Sequence, residues 1–110
     1  MMSETQASPV TCAGQIQLND MAALANRGFS TIICNRPDGE GEDQPSSNSM
    51  STHAKRAGIE FAYLPVKLSA ISEDHVARFK AIVLDAKGKV LAYCRTGRRA
   101  EELVKRAFPD

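Results

Sequence analysis

Strand-like stretches alternate with helical patterns along the chain, and this alternation is the strongest constraint on its fold. The stretches "FSTIICN", "IEFAYLP" and "KVLAYC" are rich in β-branched, aromatic and other apolar residues, and a further short strand is predicted near residues 10–16. Strands that alternate with helices form βαβ units and a mainly parallel sheet. The pattern therefore predicts an α/β fold in one domain, with a mostly parallel four- to five-stranded sheet flanked by helices.

The segments between the strands carry helix start and stop signals. The predicted helices run from Asn19 as N-cap to Gly28, over a short segment ending at Gly58, from Ser72 as N-cap to about Gly88, and over residues 101–108. Residues 36–51 are dense in Pro, Gly, Asp and Ser, which predicts the longest loop of the chain. Functional side chains often lie in such loops.

Composition narrows the class of protein further. The 110 residues carry a formal net charge of only +1, so there is no broad basic field for nucleic acid or anionic lipid. No apolar run reaches the ~18 residues of a membrane span, and residues 1–10 lack the pattern of a secretory signal. Three cysteines without Cys-x-x-Cys spacing signal neither a disulfide framework nor a zinc site. We predict one cytoplasmic domain over residues 1–110, with residues 1–9 flexible, and expect no cofactor, metal, nucleic acid or membrane partner.

Cys94 is the main candidate for chemistry. It lies where the last predicted strand ends and "CRTGRR" turns into a helix, and ligands of parallel sheets collect at this edge. Gly97 permits a backbone turn in which N–H groups point inward, and the helix start adds partial positive charge. Such surroundings lower the pKa of a thiol, so we predict a nucleophile. The alternative is a buried, inert cysteine at a strand end.

Other residues of this edge are candidates for substrate binding. We predict Arg99 as the inward guanidinium that holds an anion and acts with Cys94 in catalysis. Arg36 and Asp38 follow another strand end, where they could orient a substrate or pair with each other to hold the loop. The predicted substrate-binding residues are Arg95, Thr96, Gly97, Arg98, Arg36 and Asp38. Cys34 is expected to be a small buried residue, and a role as resolving thiol is left open.

Several motifs resemble known families. "YCRTGR" is similar to the active-site loop of rhodanese-type sulfurtransferases and, in its strand, loop and helix arrangement, to cysteine phosphatases. "NRPDGEGEDQP", "AYLPV" and "YCRTGRRAEEL" together resemble the bacterial phosphatase-like domains of β-lactamase-hydrolase-like proteins, over about residues 15–103. This resemblance implies a protein-tyrosine-phosphatase-like fold. Members of that family occur alone or fused to metallo-β-lactamase-fold or sulfide-oxidising enzymes, and many are described as sulfurtransferases.

The loop spacing allows two chemistries to be compared. Cysteine phosphatases have a Cys-x5-Arg signature, but here the sixth residue after Cys94 is Ala100, and Arg99 gives Cys-x4-Arg as in rhodaneses. A phosphatase also uses a general acid. The loop after the preceding strand offers Lys67 and no carboxylate. Acids of the long loop could substitute, and these are Asp38, Glu40 and Asp43.

Sulfur transfer requires no such acid, because the leaving group of a sulfane-sulfur donor departs without a proton. The sequence therefore favours a rhodanese-like sulfurtransferase that carries sulfane sulfur as a Cys94 persulfide. The alternatives are a cysteine phosphatase with a Cys94 phosphocysteine intermediate and a non-catalytic module that binds anions. The expected partner is a small anionic sulfur donor or a phosphoester, and the resemblance implies a functional link to a metallo-β-lactamase-fold or sulfide-oxidising enzyme.

Overall fold

The structure, a computed structural model, describes residues 10–109 and contains a four-stranded parallel sheet. The strands are β1 (Val10–Ala13), β2 (Phe29–Cys34), β3 (Glu60–Tyr63) and β4 (Lys89–Tyr93). Their order is β1-β4-β2-β3, and every neighbouring pair is parallel. Because all four strands run in one direction, their carboxyl ends meet along a single edge of the sheet.

Helices cover both faces of this sheet. They are α1 (Met21–Asn26), α2 (Ser47–Arg56), α3 (Glu73–Asp85) and α4 (Arg98–Ala107), and short 3₁₀ turns occupy Leu18–Asp20 and Leu68–Ala70. No helix within residues 10–109 is long and apolar enough to cross a membrane. The observed α/β architecture with a parallel sheet confirms the predicted fold class.

Two apolar clusters lie on opposite faces of the sheet. Side chains of α1 and α2 pack against Ile32, Leu91 and Tyr93 on one face. Side chains of α3 and α4 pack against Ile33 and Ala92 on the other. Successive residues of a strand point to opposite faces, which is why neighbours in sequence separate in this way. The central strands β2 and β4 are thus buried on both sides.

Several predicted boundaries are corrected by the structure. The long loop ends at residue 46, not at Ser51, because the side chain of Ser46 accepts a hydrogen bond from the Ser49 N–H and caps α2. Asn19 is not an N-cap, since it lies inside the first 3₁₀ turn. The last helix begins at residue 98, one turn earlier than predicted. Ser72 does cap α3, and the segment 1–9, which was predicted to be flexible, lies outside the described residues.

Candidate active site

Cys94 lies at the carboxyl end of the central strand β4. Its N–H donates a hydrogen bond to the carbonyl oxygen of Ala13 at the end of β1, 3.2 Å away. On the other side, the Asn35 N–H just beyond β2 donates to Tyr93. The residue is only 1% exposed. The sheet therefore fixes the backbone of Cys94 from both neighbouring strands.

The loop after Cys94 turns its backbone N–H groups toward the sulfur. The Gly97 N–H donates to Cys94 Sγ over 3.1 Å and the Arg99 N–H over 3.3 Å. This turn requires glycine at position 97, where φ is +94° and a Cβ atom would lie 3.3 Å from the carbonyl carbon of Ala13. The loop thus forms a cradle of inward-pointing N–H groups, as the sequence predicted, with the amino end of α4 beside them, and anion binding there stays a prediction.

These contacts set the ionisation of the thiol. Burial acts to raise the pKa of Cys94, but hydrogen bonds from backbone N–H groups outweigh it and hold the pKa below its ordinary value. The donating groups belong to Ala100, Arg99, Thr96 and Gly97. The arrangement favours a thiolate, which is the nucleophilic form of cysteine.

The guanidinium of Arg99 is held in a defined orientation next to this thiol. Its Nη1 and Nη2 donate to the two carboxylate oxygens of Glu40, each over 2.8 Å, and Nη1 also donates to the Val66 carbonyl over 3.1 Å. The pKa of Arg99 is raised, first by the hydrogen bond to Glu40 and further by the nearby Cys94. A guanidinium has five N–H groups, and three of them bind Glu40 and Val66. The other two, on Nε and Nη2, lie side by side on one edge of the guanidinium.

Glu40 joins Arg99 to a second arginine. The Nε of Arg36 donates to Glu40 Oε1 over 3.1 Å, and its Nη1 donates to Gln15 Oε1 over 2.8 Å. The Arg36 side chain is only 8% exposed. Hydrogen bonds from Arg99 and Arg36 lower the pKa of Glu40 to about 2. Glu40 is therefore a permanently ionised link between two cations at neutral pH.

Asp38 has a structural contact that the sequence did not reveal. Its two carboxylate oxygens accept hydrogen bonds from the N–H and the hydroxyl of Ser47, both over 2.8 Å, at the start of α2. Its own N–H donates to the Tyr63 hydroxyl. The possible pairing of Arg36 with Asp38 is thus corrected, because Arg36 pairs with Glu40 instead.

We call the loop after Cys94 and the start of α4 the entrance of the site, and the remaining predicted binding residues of this loop lie there. Arg95, Thr96 and Arg98 are exposed, and the two arginines make no salt bridge or side-chain hydrogen bond with any described residue. Lys67, which follows the carbonyl that holds Arg99, is exposed and also unpaired within residues 10–109. The structure brings Cys94 and Arg99 into direct contact. Arg95 and Arg98 are their neighbours in sequence, and Lys67 is the neighbour of Val66, whose carbonyl binds Arg99.

The other two cysteines differ from Cys94 in their surroundings. Cys34 packs with Tyr93 in the cluster on the opposite face of the sheet, and its thiol donates to the Arg36 carbonyl. Cys12 packs with the cluster under α4, and burial is the main cause that raises its pKa to about 12. The possible resolving role of Cys34 gains no support, because the hydrogen bond of its thiol is with the Arg36 carbonyl and not with Cys94.

Sequence reasoning missed three parts of the site. Gln15 and the Val66 carbonyl carried no local signal, since their partners are 21 and 33 residues away in sequence. Asn35 is fully buried beside Arg36; its Nδ2 donates to Leu64, whereas its Oδ1 has no partner among the described residues. Glu40 was considered only as a proton donor. Within residues 10–109, no group of three or more metal-binding side chains is close enough to hold a metal ion.

A cavity elsewhere does not belong to this site. It has a volume of about 460 Å³ and lies between β3 and α3, with Phe61, Ile82 and Lys87 among its lining residues. It opens at the amino-terminal edge of the sheet, opposite the edge that carries Cys94. The candidate site is therefore the cradle, where the thiol of Cys94 and the oriented guanidinium of Arg99 lie next to each other.

Curated relatives align with most of this chain. It is 36% identical over 91 residues to the "Beta-lactamase hydrolase-like protein" of Agrobacterium fabrum, covering 83% of this chain and 21% of that protein. It is 34% identical over 88 residues to the protein of the same name from Xylella fastidiosa, covering 80% and 20%. The chain thus spans about a fifth of the length of these relatives.

Solved structures show the same architecture. A candidate phosphatase from Neisseria meningitidis has a TM-score of 0.77 and 37% identity, with 86% of this chain and 66% of that chain covered. The core catalytic domain of the PP-IP phosphatase SIW14 from S. cerevisiae has a TM-score of 0.60 at 16% identity, covering 93% and 73%. At that identity the second likeness concerns the fold alone.

The comparisons overturn the favoured chemistry. The matching family profile is described as "Beta-lactamase hydrolase-like protein, phosphatase-like domain", and it covers residues 4–106. Both the family and the solved neighbours are phosphatase-like, so the prediction of a sulfurtransferase with a persulfide intermediate is wrong. The Cys-x4-Arg spacing misled because a cradle of N–H groups recognises negative charge and does not by itself distinguish a persulfide from a phosphoryl group. The chain belongs to the phosphatase-like domain family of beta-lactamase hydrolase-like proteins.

Proposed function

We propose that this domain is a cysteine-dependent phosphatase that hydrolyses small anionic phosphate compounds through a phosphocysteine intermediate. The observation that carries the proposal of a thiolate acting on an anion is the cradle, in which Gly97 and Arg99 donate N–H groups to Cys94 Sγ; the choice of phosphate among the anions rests on the family. Membership of a phosphatase-like family supports the same chemistry.

Cys94 is the proposed nucleophile and Arg99 the proposed phosphate clamp. The thiolate attacks phosphorus, and the N–H groups that now bind the sulfur are positioned to bind phosphoryl oxygens as charge develops on them. The unoccupied Nε and Nη2 edge of Arg99 offers two parallel donors, the geometry that suits a phosphoryl group. The shorter Cys-x4-Arg spacing is compatible with this role, because Cys94 is close enough to the Arg99 guanidinium to raise its pKa.

Glu40 and Arg36 are proposed as positioning residues. The bidentate bond from Glu40 orients Arg99, and the buried Arg36 holds Glu40 through Nε and Gln15 through Nη1. Asp38 anchors the same loop to α2 and is assigned a structural role. Arg95 and Arg98 remain predicted binding residues, and the link to a metallo-β-lactamase-fold or sulfide-oxidising enzyme remains a prediction.

The test compares p-nitrophenyl phosphate hydrolysis by the wild type, Cys94→Ser and Cys12→Ser. Cys12→Ser is a matched control, because it removes a thiol beneath α4 that no step uses. We expect Cys94→Ser to abolish phosphate release and Cys12→Ser to retain it. Trapping of a phosphorylated Cys94 by rapid acid quench and mass spectrometry would identify the intermediate. Equal activity of all three proteins would refute the proposal.

A further inference from the structure

Breaking a phosphate bond leaves a negative charge on the departing oxygen. An alkyl phosphate releases an alkoxide, so its hydrolysis depends on a general acid that contributes about 10²–10⁴ in rate. A phosphoanhydride releases another phosphate, whose protonation occurs near pH 6, and this group departs without an added proton. The acids around Cys94 therefore bear on which substrate can be cleaved.

Two acids of the 36–46 loop, Glu40 and Asp38, already use both carboxylate oxygens as hydrogen-bond acceptors. Glu40 holds both oxygens on the guanidinium of Arg99 while also accepting from Arg36. Its lowered pKa of about 2 means that it carries no proton to donate at neutral pH. Asp38 accepts hydrogen bonds from the N–H and the hydroxyl of Ser47, the first residue of α2, with its two carboxylate oxygens.

The other loop acids lack a fixed position over the thiol. Glu42 and Asp43 are exposed, and neither makes a hydrogen bond or salt bridge with another residue of the described range 10–109. Of these two, Asp43 is the stronger candidate for a general acid, because the sequence already suggested it for that role. A test of the substrate must therefore include its removal.

Positive charge around the entrance exceeds what one phosphoryl group needs. Arg99 supplies the clamp within the cradle. Arg95 follows the nucleophile directly, Arg98 begins α4, and Lys67 follows Val66, whose carbonyl holds Arg99. All three are exposed cations without a salt bridge to any described acid. Such cations suit a substrate that carries further phosphates beyond the one in the cradle.

We propose that the substrate class is a small phosphoanhydride, a molecule with two or more linked phosphates that is cleaved at its terminal phosphate. This inference rests on the proposed phosphatase function. The Cys94 thiolate forms an S–P bond as the bridging P–O bond breaks, and the shortened phosphate leaves with the bonding electron pair. Water then attacks the phosphocysteine, which releases inorganic phosphate, one proton and the free thiolate.

The first experiment measures kcat/KM for a series of aryl phosphates with increasing phenol pKa, together with inorganic tripolyphosphate and glycerol 2-phosphate. We expect a steep fall with phenol pKa and at least a hundredfold preference for tripolyphosphate over glycerol 2-phosphate. A shallow dependence, with glycerol 2-phosphate within tenfold of tripolyphosphate, would overturn the inference. A dependence that becomes steep only in Asp43→Asn would overturn it too, by identifying Asp43 as a general acid.

The second experiment tests the entrance cations with the Arg95→Ala/Arg98→Ala double variant and with Lys105→Ala, a control from the last turn of α4. We expect the double variant to raise KM for tripolyphosphate about tenfold, with a smaller rise for p-nitrophenyl phosphate. The control should change neither. Equal rises for both substrates would overturn the inference while leaving the phosphatase intact. Loss of all Cys94-dependent hydrolysis would instead refute the phosphatase function and this inference together.

Discussion

Replacing Glu40 by Gln should destabilise the domain in a pH-dependent way. The pKa of Glu40 is lowered to about 2 from its ordinary 4.5, a difference of about 3.4 kcal/mol at 1.36 kcal/mol per pH unit. The side chain is 30% exposed, so solvent screening reduces this to about 1–2 kcal/mol. Because the folded-state pKa is below the unfolded one, this stabilisation is complete above pH 4.5 and is lost as the pH falls toward 2.

The measurement is urea unfolding of wild type and Glu40→Gln, followed by circular dichroism at pH 7 and at the lowest pH where both remain folded. We expect the free energy of unfolding to differ by about 1–2 kcal/mol at pH 7 and the difference to shrink with acidification. Glu102→Gln is the matched control, because Glu102 is 29% exposed, much like Glu40, but pairs, within residues 10–109, only with Arg106, whose side chain is 43% exposed. A difference that is absent at pH 7, or constant with pH, would refute the assigned role of the ion pair.

Three further outcomes are expected. Arg99→Lys should lower kcat/KM for p-nitrophenyl phosphate more than Arg98→Lys, because lysine lacks the planar fork; equal losses would contradict the clamp assignment. Iodoacetamide labelling of Cys94, followed by mass spectrometry against pH, should give an apparent pKa below the ~8.5 of free cysteine, and an ordinary value would argue against activation. Gly97→Ala should cost about 1–2 kcal/mol of stability from strain and abolish activity. Gly58→Ala, with φ of +82° in open space, should cost only the strain.

Local patterns predicted the sheet because both central strands are rich in apolar and β-branched residues and are almost entirely buried. Local patterns also predicted Cys94 at the carboxyl edge of the sheet and Ser72 at a helix start, because each of these signals lies within a few residues of sequence. They could not choose among the serines in "SSNSMS" as the start of α2. That start is set by Ser46 together with Asp38, which binds Ser47 from nine residues earlier.

The candidate site was predicted only as far as its local part. The pairing of Arg99 with Glu40 spans 59 residues and depends on how the long loop folds over α4. No periodicity or spacing encodes such a contact. The choice of chemistry failed for a related reason, because backbone N–H groups recognise negative charge and not the element that carries it.

The strand order has a consequence for how the domain assembles. β4 is the last strand in the chain, yet it lies between β1 and β2 and pairs with both. The first strand therefore has no partner in the sheet until residues about 80 positions later arrive. Such non-local pairing slows folding. Because the nucleophile directly follows this strand, closure of the sheet and formation of the cradle become one event, and a partly folded chain has no reactive centre.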